Sequence, residues 1–237
     1  MAILKNKKAV IFDLDGTVVD SLGVWSDVDM RLAQALGADN LDREAVSRLR
    51  EDSLAKYRND PQPYTRFCGE FGKLVGSPLS AEEIHAARYK ISREVLKTDV
   101  KLKAGVADVI RAIAAAGLRL CVATTTKKAN VDIYSDVNET IRQKLKLRDY
   151  FEFFITIEDV DNIKPDPECY LTALKRLGVR PEEALVIEDT LAGMTAAKSA
   201  GIDVAIVREA HSERDRAKLM QEATYYYENF AELKHDL

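Results

Sequence analysis

Cysteine is scarce in this chain. Cys68, Cys121 and Cys169 stand alone at wide spacing, which excludes a disulfide framework and the paired spacing of a zinc site. Histidine is equally thin: His85, His211 and His235 fall in separate stretches, so neither a histidine metal site nor a histidine base is suggested. No apolar run approaches the ~18 residues needed to cross a bilayer, and the opening MAILKNKKAV is too short in apolar residues for a secretory signal. The expectation is a cytoplasmic protein with no membrane partner. Charge of one sign is not in excess, with 35 basic against 39 acidic residues and a net charge of −4, which argues against a nucleic-acid footprint. Internal repeats and low-complexity segments are missing too. Chemistry must therefore come from carboxylates, hydroxyls and lysine.

What the chain does have is length and pattern. Its 237 residues allow one domain plus an insert. KAVIF near the start, LRLCVA (118–123), FEFFITI (151–157), ALVIED (184–189) and DVAIV (203–207) read as strands, and ATYYY (223–227) as a further edge strand. Between them ADVIRAIAAAG, PECYLTALKRLG and LAGMTAAKSAG carry apolar residues at helical spacing and end in glycine. This alternation predicts an α/β fold, a Rossmann-like doubly wound parallel sheet covered by helices on both faces. The interval after the first strand differs. GVWSDVDMRLAQALG, DREAVSRLREDSLAKYR, PYTRFCGEFGKLVG and SAEEIHAARYKISREVLK each read as amphipathic helices separated by DN, NDPQP and GSP breakers. The predicted organisation is a core of residues 1–19 and 100–237 with a four-helix insert at 20–99, residues 96–106 forming the return linker.

Ligands of an open parallel sheet bind beyond the carboxyl ends of its strands. There the sequence places Asp13-Leu14-Asp15-Gly16-Thr17, Thr124-Thr125-Thr126, Lys164-Pro165 and Glu188-Asp189-Thr190. Clustered carboxylates repel unless a cation lies among them, and a hard divalent ion such as Mg²⁺, which takes one or two carboxylates plus phosphate oxygens, suits Asp13 and Asp189. With the ion present a phosphate dianion can approach, helped by Lys164, by the Thr124 hydroxyl and by backbone N–H groups of the turn at Leu14 and Asp15. One aspartate can then attack phosphorus while a second acid serves the leaving oxygen. Residues i and i+2 of a continuing strand share a face, so Asp15 can aim elsewhere only if the chain turns after Asp13. Gly16 supplies the freedom for that turn.

DLDGTVVDS resembles motif I of the haloacid dehalogenase superfamily, Thr124 in CVATTT resembles motif II, Lys164 in NIKPDP motif III and Glu188-Asp189 in VIEDTLAGMTAAKSAG motif IV, in the family's order. The helical insert directly after motif I is similar to the C1 cap of its subfamily I, which holds phosphoglycolate phosphatase-like and β-phosphoglucomutase-like enzymes. The resemblance implies Asp13 as nucleophile and Mg²⁺ ligand, Asp15 as general acid and base with its carbonyl on the metal, and Thr124 and Lys164 on the phosphoryl group. It also implies Asp189 on Mg²⁺ and Glu188 touching the metal directly or through water; Thr125 is a second phosphate candidate.

The implied activity is Mg²⁺-dependent hydrolysis of a small phosphate monoester, a sugar phosphate or a phosphoglycolate-like compound, through an aspartyl-phosphate, in a monomer or homodimer. A phosphosugar mutase is the enzymatic alternative, supported by Arg50-Glu51-Asp52-Ser53-Leu54 but lacking the histidine those relatives carry after motif I. A non-catalytic phosphate-ligand or partner-binding protein is the alternative of another class. Plainer roles stand beside these. Asp13 and Asp15 suit a strand-end turn, and Glu188-Asp189 or the threonines suit helix capping. Thr17 and Asp20 suit orientation of the turn. Arg48, Arg50, Lys56 and Arg58 suit a solvated helix face, with recognition of a substrate anion as the alternative, and Trp25 suits either the entrance or the core of the insert.

Overall fold

β1 (Ala9–Phe12) is a run of β-branched and aromatic residues without charge, and all four residues are buried, the composition of a strand covered on both faces. The computed structural model describes residues 3–21, 23–57 and 60–237; Arg58 lies outside them. After β1 come β2 (Val19–Asp20), α1 (Val24–Ala35), α2 (Arg43–Lys56), α3 (Pro63–Leu74), α4 (Ala81–Thr98), β3 (Lys101–Leu102), α5 (Val106–Ala115) and β4 (Arg119–Ala123). Then follow α6 (Lys128–Asp132), a π-helical turn (Ile133–Val137), α7 (Glu139–Lys144), α8 (Leu147–Tyr150), β5 (Phe154–Ile155), α9 (Glu168–Leu177) and β6 (Ala184–Glu188). The chain closes with α10 (Leu191–Ser199), β7 (Asp203–Val207), α11 (Arg216–Glu222), β8 (Tyr225–Tyr227) and α12 (Phe230–Asp236).

Six strands make one sheet in the order β5-β4-β1-β6-β7-β8, with every pairing parallel. From β1 the chain steps outward through β4 to β5, then returns to β6 on the other side and steps outward again. The reversal leaves β1 between β4 and β6, so the crevice of this doubly wound sheet opens at their carboxyl ends. Tyr170, Ala173 and Leu174 of α9 and Met194 and Ala197 of α10 pack into one core with Ile11, Cys121, Val186 and Ile206. Burial of a Val, Leu, Ile or Met side chain of this core stabilises the fold by ~1.5–3 kcal/mol.

The chain divides into two compact units, Met1–Leu22 with Val100–Leu237, and Gly23–Asp99. The sequence reading places the first boundary between residues 19 and 20; here Asp20 remains with the sheet unit because Val19–Asp20 pairs antiparallel with Lys101–Leu102. That ribbon also occupies part of the expected linker, and α4 runs on through Thr98.

In the second unit four helices lie where the amphipathic patterns place them. Asp42 caps α2, and Ser80 with Glu83 forms a capping box on α4. Leu32, Val46, Phe67, Phe71 and Ile84 form its core. The charged face of α2 departs from expectation at Arg50, which is nearly buried and donates to Asp29 Oδ2 at 2.6 Å, while Arg88 donates to Asp29 Oδ1 at 2.7 Å. A fully buried carboxylate requires such partners, and no helical periodicity announces which residues will supply them. Trp25 is half-buried with the Arg88 guanidinium 5.6 Å from its ring centre.

Two further differences lie in the sheet unit. FEFFITI contributes only Phe154–Ile155 as strand, paired with Val122 and Ala123 of β4. The stretch 128–150, which shows no periodic pattern long enough to assign, forms α6, the π-helical turn, α7 and α8. Among the described residues no helix is long and apolar enough to cross a membrane, and all three cysteines are free and buried.

Candidate active site

Asp13 follows the last residue of β1, and its backbone N–H donates to Ile187 O of β6 at 2.9 Å, which ties the strand end to its neighbour. Two residues on, Gly16 adopts φ 94°, and its N–H donates to Val19 O at 2.8 Å. This is the left-handed conformation glycine tolerates, and it turns the chain so that Asp13 and Asp15 acquire different surroundings. Asp13 meets Lys164 and the end of β6, whereas Asp15 meets hydroxyl groups.

Lys164 is the hub of the first set. Its Nζ donates to Asp13 Oδ1 at 2.6 Å and to Glu188 Oε1 at 2.8 Å, and it lies 4.9 Å from the centre of the Tyr170 ring. Glu188 is saturated. Its Oε1 also accepts from Tyr170 OH at 3.3 Å, and its Oε2 accepts from Asp189 N at 2.7 Å, Thr190 N at 2.8 Å and Thr190 Oγ1 at 3.0 Å. Five donors exhaust a carboxylate's acceptor capacity. The cap of α10 is Thr190, whose hydroxyl accepts from Gly193 N; neither Glu188 nor Asp189 fills that place.

Asp189 is held at one oxygen only. Thr17 Oγ1 donates to Asp189 Oδ1 at 2.9 Å, while Oδ2 is buried with no partner among the described residues. One oxygen from each of Asp13, Glu188 and Asp189 can be chosen so that all lie within 4.8 Å of one another. The electrostatics follow. Burial, opposed by Lys164 and reinforced by the charges of Glu188 and Asp15, pushes the Asp13 carboxyl up to about 7. Burial and the neighbouring Glu188 and Asp13 charges hold Asp189 well above the ordinary carboxylate range. Glu188 goes the other way, because Lys164 and the two backbone donors outweigh its burial. The buried, unpaired Asp189 oxygen beside the Asp13 carboxylate, with the Glu188 charge next to them, fits a hard divalent cation.

Asp15 is half-buried, and burial raises its carboxyl. Its Oδ1 accepts from Ser21 Oγ at 2.5 Å and from Tyr134 OH at 3.2 Å. Thr124 is buried at the end of β4, and its Oγ1 accepts from Thr126 N at 3.1 Å. Thr125 is exposed.

The structure thus brings together Asp13, Lys164, Glu188 and Asp189, sets Asp15 apart among hydroxyls, and leaves Thr125 at the surface. Sequence reasoning does not single out Tyr134, which reaches the site from a segment with no sustained period, or Tyr170, whose place in the α9 pattern marks it only as a buried position. Thr17, read as orienting the turn, instead holds Asp189. Gly193 was visible only as a letter of the motif around it.

A family model described as haloacid dehalogenase-like hydrolase matches residues 10–207. Protein CbbY of Rhodobacter capsulatus is 31% identical over 217 residues, 88% of either chain. Phosphoglycolate phosphatase of Salmonella typhimurium is 32% identical over 218 residues, covering 84% of this chain and 80% of its own. The crystal structure of a putative β-phosphoglucomutase from Thermotoga maritima superposes with a TM-score of 0.75 at 26% identity, over 97% of this chain and 100% of that one. The strand order, the lysine-bridged carboxylates at the sheet's reversal point and the match over residues 10–207 agree, and the chain belongs to the haloacid dehalogenase-like hydrolases.

Proposed function

We propose that this phosphoric monoester hydrolase is a Mg²⁺-dependent phosphatase of small phosphorylated metabolites, a sugar phosphate or a phosphoglycolate-like ester, working through an aspartyl-phosphate on Asp13. The observation that carries this reading is Lys164 bound between Asp13 and Glu188 beside the unpartnered Asp189 Oδ2. The phosphatase and phosphosugar names of the relatives support the substrate class.

Asp13 and Asp189 would hold the metal together with the Asp15 carbonyl, and Glu188, with its acceptors occupied, adds negative charge and keeps Lys164 in place. When bound, Mg²⁺ neutralises the carboxylates and the phosphate oxygens so that an anion can attack a dianion. The Asp13 carboxylate forms the bond to phosphorus as the ester P–O bond breaks, and Asp15 gives its proton to the departing alcohol. Water then loses a proton to Asp15, attacks phosphorus and frees the Asp13 carboxylate. Lys164 offsets charge on the phosphoryl oxygens, and Thr124, whose oxygen already accepts from Thr126 N, keeps its O–H to donate.

Phosphate release from p-nitrophenyl phosphate tests this reading. Turnover is expected with Mg²⁺, and its loss in EDTA and in Asp13→Asn; activity surviving both treatments would overturn the mechanism. Ranking sugar phosphates and phosphoglycolate by kcat/KM then assigns the substrate. The likeness to the Thermotoga structure favours a mutase as second reading. β-Glucose 1-phosphate offered with trace bisphosphate separates the two, because a mutase yields glucose 6-phosphate faster than free phosphate.

A further inference from the structure

Tyr134 is fully buried, yet its hydroxyl reaches Asp15 Oδ1, the oxygen that also accepts from Ser21. It is carried on the π-helical turn Ile133–Val137, in which three successive residues, Ile133, Tyr134 and Ser135, are buried. Asn138 ends that turn: its backbone N–H donates to Ile133 O at 2.8 Å, its side-chain amide donates to Val100 O at 2.9 Å, and its Oδ1 accepts from Ile141 N at 2.9 Å at the start of α7. Single π turns within helices are uncommon and concentrate at functional sites. A buried phenol needs a hydrogen-bond partner, and here the partner is the side chain assigned to proton transfer, 119 residues away in the chain.

We infer that Tyr134 is a positioning residue for Asp15: with Ser21 it holds Oδ1 as an acceptor, so that the transferable proton sits on Oδ2. A carboxyl free to rotate presents either oxygen to the substrate, and only one orientation aims the proton at the leaving group. Two hydroxyls donating to Oδ1 stabilise it as the carbonyl oxygen of the neutral acid. In the first step Asp13–phosphorus bond formation and ester cleavage are accompanied by transfer of the Oδ2 proton to the alcohol. In the second, water's proton passes to Oδ2 as its oxygen bonds phosphorus and the Asp13–phosphorus bond breaks. The inference rests on the acid and base role proposed above for Asp15.

A series of falling leaving-group ability tests it: p-nitrophenyl, phenyl and benzyl phosphate, compared by kcat/KM. Protonation matters little for nitrophenolate and greatly for a benzyl alkoxide. Tyr134→Phe, which removes one hydroxyl, is expected to lose about twofold on the first and about tenfold or more on the last, with an unaltered melting profile. Ser21→Ala, acting on the same oxygen, should give the same graded loss and serves if Tyr134→Phe does not fold. An equal loss across the series, or none, would assign Tyr134 to packing alone and overturn the inference. Asp15→Asn separates the two levels. If it leaves the benzyl rate intact, the acid and base reading itself fails. If it abolishes that rate while Tyr134→Phe scales all three substrates alike, the Tyr134 inference fails alone.

Discussion

Gly193 lies so close to Glu188 that a Cβ on residue 193 would stand 1.6 Å from Glu188 Oε1 and 1.9 Å from its Cδ. The first turn of α10 is therefore the wall against which the carboxylate that holds Lys164 is set. Gly193→Ala must displace Glu188 and with it the Lys164 ammonium. The expected result is a fall in kcat/KM of about 10²-fold, since a displacement near 1 Å at a reacting group costs about that much. Steady-state kinetics on p-nitrophenyl phosphate check it, and near-wild-type turnover in a folded Gly193→Ala protein would contradict this arrangement.

Lys164 is buried between two carboxylates, so on the proposed reading its removal acts on charge as well as on substrate. In Lys164→Met Asp13 loses its cationic partner and Glu188 loses one of its five donors, and breaking a buried pair costs roughly 3–5 kcal/mol. Loss of a charge that offsets the phosphoryl oxygens costs a further 10²–10³-fold in kcat. Thermal unfolding without metal and turnover with Mg²⁺ should therefore both suffer. A variant that loses activity while keeping full stability would show that the pair does not hold the fold.

Metal binding should be visible without any substrate. On the proposed reading a cation among Asp13 and Asp189 offsets the burial and the neighbouring charges that raise both carboxyls, so Mg²⁺ at a hundred times its Kd stabilises the native state by ~2.7 kcal/mol. For a chain of this size that is a rise in Tm of about 5–10 °C. EDTA should remove the increment, and Asp189→Asn, which takes away the unpartnered oxygen's charge, should abolish it. An unchanged Mg²⁺ shift in Asp189→Asn would place the ion elsewhere.

The helical unit carries its own pH dependence. Lys56, with help from Ser53 and Tyr57, holds the Glu70 carboxyl down to about 2 from 4.5. A depressed native pKa means stability that is present above about 4.5 and lost as the pH falls towards 2. With Glu70 a quarter exposed, screening reduces the contribution to about 1–2 kcal/mol. Glu70→Gln should therefore be less stable than wild type at pH 7, and the gap should narrow steadily below pH 4.5. Urea unfolding at pH 7 and pH 3 measures it; a gap independent of pH would assign the effect to packing.

Much of this architecture was legible because it is local. β1 announces itself by four apolar residues in a row, and the chain's turn by Gly16. The α/β alternation, with one strand end each at Asp13, Thr124 and Glu188, follows from periods of 2 and 3.6 residues. Stretch 128–150 was not legible, because short helices joined by a π turn carry no sustained period. Arg50 was misread as solvated because its partner, Asp29, lies on another helix.

The sequence by itself determined which residue types stand at the strand ends and in what order, since strand and turn formation depend on near neighbours. Tertiary structure alone decided what each of them does. Lys164 joins Asp13 across 151 residues, Thr17 joins Asp189 across 172, and Tyr134 joins Asp15 across 119. Contacts of that span arise only when the folded sheet brings distant strand ends, and the helical turn that carries Tyr134, to one place. The packing around them, and no local preference, leaves Glu188 saturated and Asp189 with one oxygen to spare.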